Sequence, residues 1–309
     1  FEVKVHREER PLTSGEIREN AQGCFGIISL LSDPIDKEVL SIDSLKAVCQ
    51  YAVGYDNIDV AEATRRGILI TNTPGVLTET CADYTFALIL ALSRRILDAD
   101  RFTREGKFRG WSPTLFLGKD VYGKTLGIIG LGRIGKAVAR RAFGFSMKVL
   151  AYDERIDHDF VKSFGIEVVS VEEIFARSDF ISLHVPGGRK TYHIVNEKTL
   201  SLMKKTAYLI NIARGTCVDE KALAKALKQG IIAGAALDVY EKEPAIDEEI
   251  LTAPNTLLLP HIASASVETR TRMAIMCCSD MVNAFEGKPV ENPVNPEVLT
   301  NRVLKWQTV

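Results

Sequence analysis

The sequence has no apolar run long enough to cross a bilayer. Its longest strongly hydrophobic stretch, around Phe86 to Leu92, falls far short of the roughly 20 residues a span requires. The opening residues, Phe1-Glu2-Val3-Lys4-Val5-His6, lack the apolar core and small-residue cleavage site of a secretory leader, so a cytoplasmic location is expected. An excess of charge is missing too: 39 Lys and Arg stand against 40 Asp and Glu, a formal net charge of −1. With no bulk positive field, neither nucleic acid nor membrane is expected as a partner. Six cysteines (Cys24, Cys49, Cys81, Cys217, Cys277, Cys278) form no CxxC pair and no zinc spacing. No metal is expected, and the thiols read as reduced, packed side chains. Internal repeats and low-complexity tracts are absent.

What is present is an ordinary globular composition, 46% hydrophobic and 26% charged, too apolar for disorder. The 309 residues suggest two domains at roughly 150 residues each. Strand patterns are expected at Glu2–His6, Phe25–Leu30, Ala47–Tyr51 and Ile68–Thr71, with helical patterns between them. One long helix, roughly Glu79 to Glu105, follows and is closed by Gly106; it reads as an inter-domain strut. Further strands are expected at Thr125–Ile129, Lys148–Tyr152, Phe180–His184, Ala207–Asn211, Ile232–Leu237 and Thr256–Leu259. Ser170-Val171-Glu172-Glu173 is a capping box that opens a helix, and a last helix runs from Val267 to Phe285. Such alternation predicts an α/β fold of two doubly wound parallel-sheet domains.

Gly130-Leu131-Gly132-Arg133-Ile134-Gly135 is a GxGxxG. Alone it is weak, because a chance match somewhere in a chain of this glycine content is expected about one time in ten. Its context is stronger: an apolar strand feeds it, a helical pattern leaves it, and the next strand ends in Asp153, 23 residues after Gly130. Glycines let backbone amides approach a pyrophosphate at the positive end of a helix. A carboxylate at the second strand's end accepts from a ribose 2′-hydroxyl and repels a 2′-phosphate, so Asp153 with Glu154 favours NAD(H). Arg155 nearby leaves NADP(H) open as the second choice.

Three ionisable residues follow three successive strand ends: Arg214, Glu243 and His261. Ligands of doubly wound sheets bind beyond those ends. Arg can grip a carboxylate bidentately, and His is the usual proton donor near neutral pH, its charged form favoured by a neighbouring carboxylate. The set suits hydride transfer to a 2-oxo acid.

These motifs resemble the D-isomer-specific 2-hydroxyacid dehydrogenases, and within them the glyoxylate/hydroxypyruvate reductases. The resemblance also rests on Val53-Gly54-Tyr55-Asp56-Asn57-Ile58-Asp59, Asn72-Thr73-Pro74-Gly75, Ser182-Leu183-His184-Val185-Pro186, Asn211-Ile212-Ala213-Arg214-Gly215, Leu237-Asp238-Val239-Tyr240-Glu241-Lys242-Glu243-Pro244 and Pro260-His261-Ile262-Ala263-Ser264. It implies a Rossmann-type NAD-binding domain, residues 96–264, inserted in a substrate domain of residues 1–95 and 265–309. It also implies His261 as proton donor, Glu243 as its partner and Arg214 as substrate anchor. The amides of Val53 and Gly54 would hold the substrate carboxylate, with Ser264 beside the substrate. His184, Pro186, Ile212, Ala213, Asp238 and Ala263 would line the dinucleotide. Trp111 would reach into the partner's pocket of a homodimer. The resemblance implies reduction of glyoxylate or hydroxypyruvate; a D-lactate-type or 3-phosphoglycerate-type dehydrogenase, or a non-enzymatic NAD-sensing corepressor, are the alternatives. Two departures stand out. Gly187-Gly188 replaces the usual Leu-Thr after Pro186, which predicts a looser loop, and the family's opening strand and helix do not precede Phe1.

Overall fold

A computed structural model describes residues 1–8 and 10–300. The chain forms two compact units, one of residues 1–77 with those from 266 onward, the other of residues 78–265. The first unit holds a parallel sheet of β1 (Gly26–Ser29), β2 (Ala47–Gln50) and β3 (Leu69–Thr71) in that order. Both faces of β2 are buried, as its unbroken Ala47-Val48-Cys49 run requires. Ile17, Leu40, Leu45, Val48 and Ile70 form the core on one side. The helix Val267–Phe285, capped by the Ser266 hydroxyl, packs on the sheet.

The second unit is a seven-stranded parallel sheet: β4 (Thr125–Ile129), β5 (Lys148–Tyr152), β6 (Glu167–Val168), β7 (Phe180–Leu183), β8 (Tyr208–Asn211), β9 (Gly234–Leu237) and β10 (Thr256–Leu258). Their spatial order is β10-β9-β8-β7-β4-β5-β6. Strand order therefore reverses between β4 and β7, which creates the crevice where such sheets bind ligands. The expected capping box forms, with Ser170 and Glu173 serving each other's backbone amides.

Three expectations are corrected. Residues Glu2–His6 form no strand: Phe1, Val3 and Val5 alternate properly but are 81%, 75% and 65% exposed, and among the described residues β1 pairs only with β2. Alternation without a neighbouring strand gives no ladder. The long helix is two helices, Thr78–Ser93 and Ile96–Arg104. At the break Arg95 is left-handed (φ 53°), and the Ser93 carbonyl accepts from the Lys119 amide at 2.8 Å. Its first half buries Cys81, Ala82, Phe86, Leu88 and Ile89 and packs on β8, β9 and the helix Arg133–Gly144, so residues 78–95 lie with the second unit. The short β6 lies outside the expected strands, because two exposed residues carry no pattern. Residues 301–309, part of the expected substrate domain, lie outside the described residues.

Among the described residues no helix is long and apolar enough to cross a membrane, and no cluster of His, Cys, Asp or Glu could hold a metal ion. Cys49, Cys81, Cys217 and Cys277 are buried thiols, whereas Cys278 is exposed.

Candidate active site

The turn after β4 is shaped by close approach. Gly130 has φ 98°, and a Cβ there would lie 2.6 Å from the His184 carbonyl carbon and oxygen. The backbone leaving β7 thus closes on the backbone leaving β4, at the reversal in strand order. A Cβ at Gly135 would meet the Gly130 carbonyl oxygen at 2.0 Å, so helix and turn also touch. Gly132 is different: a Cβ there would meet no atom within 4 Å. Gly132 is the N-cap of the helix Arg133–Gly144 and supplies no side-chain cap, which leaves the first-turn amides of Arg133 and Ile134 for another acceptor. One anion already stands at this turn. The Leu131 amide donates to Asp153 Oδ2 at 2.6 Å, and the Arg155 amide to Oδ1 at 2.8 Å.

His184 lies beside this cradle. Its Nε2 pairs with the Ser182 hydroxyl at 2.9 Å, while the buried Nδ1 has no hydrogen-bond partner among the described residues. Burial pushes its pKa down to about 3, so the ring is neutral near pH 7 and is no proton donor. The cradle, the open space at Gly132 and the orphaned Nδ1 together fit a dinucleotide.

Two of the three ionisable residues meet. His261 Nδ1 and Glu243 Oε2 are 2.8 Å apart, each side chain about one-third exposed. Burial acts to raise the Glu243 pKa, but the hydrogen bond and charge of His261, the Tyr240 amide and the Arg214 charge prevail and hold it below the usual carboxylate range. Arg214 follows β8 and directs Nη1 to the Ala213 carbonyl oxygen at 2.7 Å. Asn211 fixes this turn from both sides, accepting from the Ala213 amide and donating to the Arg214 carbonyl oxygen. The Arg214 charge thus acts on the carboxylate that holds His261.

The clamps that hold this geometry were not legible in the sequence. Asp238, fully buried, accepts from the amides of Ile262 (2.9 Å) and Ala263 (2.7 Å) and from the Tyr84 hydroxyl (3.2 Å). These amides directly follow His261, whose φ of 57° lies in the left-handed region that few side chains adopt. Burial raises the Asp238 pKa against the pull of those amides and of His261. Asp238, expected to line the dinucleotide, also fixes the loop that carries His261. Glu220, 5% exposed, accepts from the Glu241 amide at 2.7 Å, and the Tyr240 amide donates to Glu243 Oε1 at 2.9 Å. Gly215 packs so closely that a Cβ would sit 1.8 Å from the Tyr240 carbonyl carbon. An acid opening a helix and a glycine after an arginine look unremarkable in sequence; only packing reveals what they serve.

Ile212, Ala213 and Ala263 are buried at the ends of β8 and after β10, Pro186 is exposed after β7, and Ser264 is half-buried. In the other unit, Val53 and Gly54 lie in the loop after β2. Gln50 Nε2 donates to the Gly54 carbonyl oxygen, and Asn72 Nδ2 to that of Val53. Trp111 is 85% exposed in an irregular segment with Phe108, Leu117 and Tyr122, also exposed. The loop after Pro186 is not loose. Gly188 (φ 143°) forms a turn in which the Thr191 hydroxyl donates to the Pro186 carbonyl oxygen at 2.7 Å and the Tyr192 amide to that of Gly188 at 2.9 Å.

A seven-stranded sheet of this order, a capless glycine turn at its reversal and a carboxylate-paired histidine define a nicotinamide-dependent oxidoreductase. Residues 86–263 match the family model of the D-isomer specific 2-hydroxyacid dehydrogenase NAD-binding domain. The chain belongs to this family and is an oxidoreductase of 2-hydroxy acids. It is 53% identical to a glyoxylate reductase of Korarchaeum cryptofilum over 98% of this chain and 92% of that one. Among solved structures, a protein from Thermus thermophilus matches with a TM-score of 0.88 and 40% identity, covering 95% of this chain and 93% of that chain. The NADPH-dependent glyoxylate/hydroxypyruvate reductase of Sinorhizobium meliloti matches at 0.81 and 36% identity, covering 89% and 85%.

Proposed function

We propose that this enzyme reduces glyoxylate, and hydroxypyruvate beside it, with NADH, using His261 as proton donor. The 2.8 Å contact between His261 and Glu243 carries the reading. When bound, the reduced nicotinamide supplies the hydride. Arg214 grips the substrate carboxylate and polarises its carbonyl. Glu243 occupies Nδ1 of His261, so Nε2 faces the substrate and delivers the proton to the carbonyl oxygen. The amides of Val53 and Gly54 are assigned the substrate carboxylate and Ser264 a substrate contact; among the described residues neither amide has a backbone acceptor. His184, Pro186, Ile212, Ala213 and Ala263 are assigned to the dinucleotide. NAD(H) is preferred on account of Asp153, whose carboxylate would repel a 2′-phosphate.

The expected result is loss of nicotinamide absorbance when protein, NADH and glyoxylate are mixed. A panel adding hydroxypyruvate, pyruvate and phosphohydroxypyruvate separates the D-lactate and 3-phosphoglycerate types. No consumption with any of the four overturns the proposal. Arg214→Lys should lower kcat/KM at least about tenfold, since a point charge cannot reproduce the planar fork; an unaffected value removes Arg214 as the anchor.

The enzyme is further proposed to be a homodimer, with Trp111 at the subunit contact. The support is the run of exposed apolar residues around it. Light scattering at micromolar concentration should return twice the chain mass, and a monomer would overturn this.

A further inference from the structure

The sheet order sets β5 and β7 on either side of β4, so their following loops flank the glycine turn. At the ~4.8 Å spacing of neighbouring strands, the two loops start roughly 10 Å apart. A side-chain ion pair joins them. Lys190 Nζ, from the loop after β7, lies 2.9 Å and 3.0 Å from the two oxygens of Glu154, in the loop after β5. The turn built by Gly188 holds Lys190 there, because its φ of 143° is rarely open to other residues, and Thr191 and Tyr192 lock it.

Both ends of the pair are mostly exposed, 78% and 58%, so the contact is weak and opens readily. Its position gives it consequence. Glu154 directly follows Asp153, the carboxylate that selects at the ribose 2′ position. Asp153 is engaged through both oxygens by the Leu131 and Arg155 amides. The adjustable charge at the 2′ position is therefore set by Glu154, Lys190 and Arg155.

We infer that the Glu154–Lys190 pair tunes the choice between a 2′-hydroxyl and a 2′-phosphate dinucleotide. In the pair, Lys190 cancels Glu154 and leaves Asp153 to discriminate. With Glu154 neutral, Lys190 turns to a 2′-phosphate and admits it. With Lys190 neutral, two adjacent carboxylates face that phosphate and exclude it more strictly. Lys190 is thus a specificity residue of the cofactor site, and this inference rests on reading the glycine turn as that site.

The test is binding, independent of turnover. Isothermal titration of the full chain with AMP and with adenosine 2′,5′-bisphosphate, which differ only in the 2′-phosphate, gives a preference ratio. Glu154→Gln should shift that ratio toward the 2′-phosphate about tenfold, the effect of one surface charge at a few ångströms. Lys190→Gln should shift it the opposite way, and both shifts should shrink as salt rises from about 0.05 M to 0.5 M. Ratios unchanged in both variants overturn the inference while leaving the cofactor site intact. Failure of the unmodified protein to bind NADH or either probe would instead overturn the reading of the glycine turn.

Discussion

His261→Ala should cut kcat for glyoxylate reduction by about 10²-fold or more, while the Kd for NADH, measured by fluorescence, stays within about twofold. The separation follows from placement. His261 stands after β10 with Nδ1 on Glu243, whereas the cradle is built by the turns after β4, β5 and β7. The second histidine near the cradle cannot substitute, because burial holds His184 neutral down to about pH 3. Glu243 is held below the usual carboxylate range, so its own protonation bears on the rate only in stronger acid than an ordinary glutamate would require. Glu243→Gln keeps a hydrogen-bonding group but removes the negative charge beside His261, so kcat for glyoxylate reduction should fall about tenfold or more. An alanine variant with the original kcat would remove His261 from the chemistry.

Gly215→Ala should be strongly damaging. The added methyl would lie 1.8 Å and 1.9 Å from the Tyr240 carbonyl carbon and oxygen and 2.4 Å from the Glu241 nitrogen, all backbone. Nothing flexible can yield, so the loop from Asp238 to Glu243 must move. That loop holds Glu243 through the Tyr240 amide, and Glu243 holds His261. A loss of about 2–3 kcal/mol in stability is expected from such overpacking, with kcat/KM down about 10²-fold. Gly132→Ala is the control: it meets open space, so its Tm should match the parent, and only dinucleotide binding should weaken. Denaturation melts and steady-state kinetics on the two variants check this. A Gly215→Ala protein with parental Tm and turnover would show that the loops are not in fixed contact.

Much of the architecture was legible because it rests on local periodicity. Apolar strand runs, the Ser170–Glu173 capping box and the helix Val267–Phe285 all form where the pattern places them. The misreadings share one cause. The Glu2–His6 alternation is sound but has no neighbouring strand among the described residues, and the helical pattern through Arg94 is sound but the Ser93 carbonyl is taken by Lys119. Local pattern states a preference; a distant partner decides whether it is exercised.

The sequence by itself determined the parallel α/β plan, the glycine turn with Asp153 beyond it, and the chemical kinds of Arg214, Glu243 and His261. Those follow from side-chain period and from functional groups, which are properties of residues. Tertiary structure alone decided that His261 meets Glu243, that His184 is neutral, and that Asp238 and Glu220 clamp the loops. It also decided why Gly215 must lack a side chain and which two loops Lys190 and Glu154 join. Distance, burial and close approach are properties of pairs far apart in the chain, and they exist only once strand order has brought the loops together.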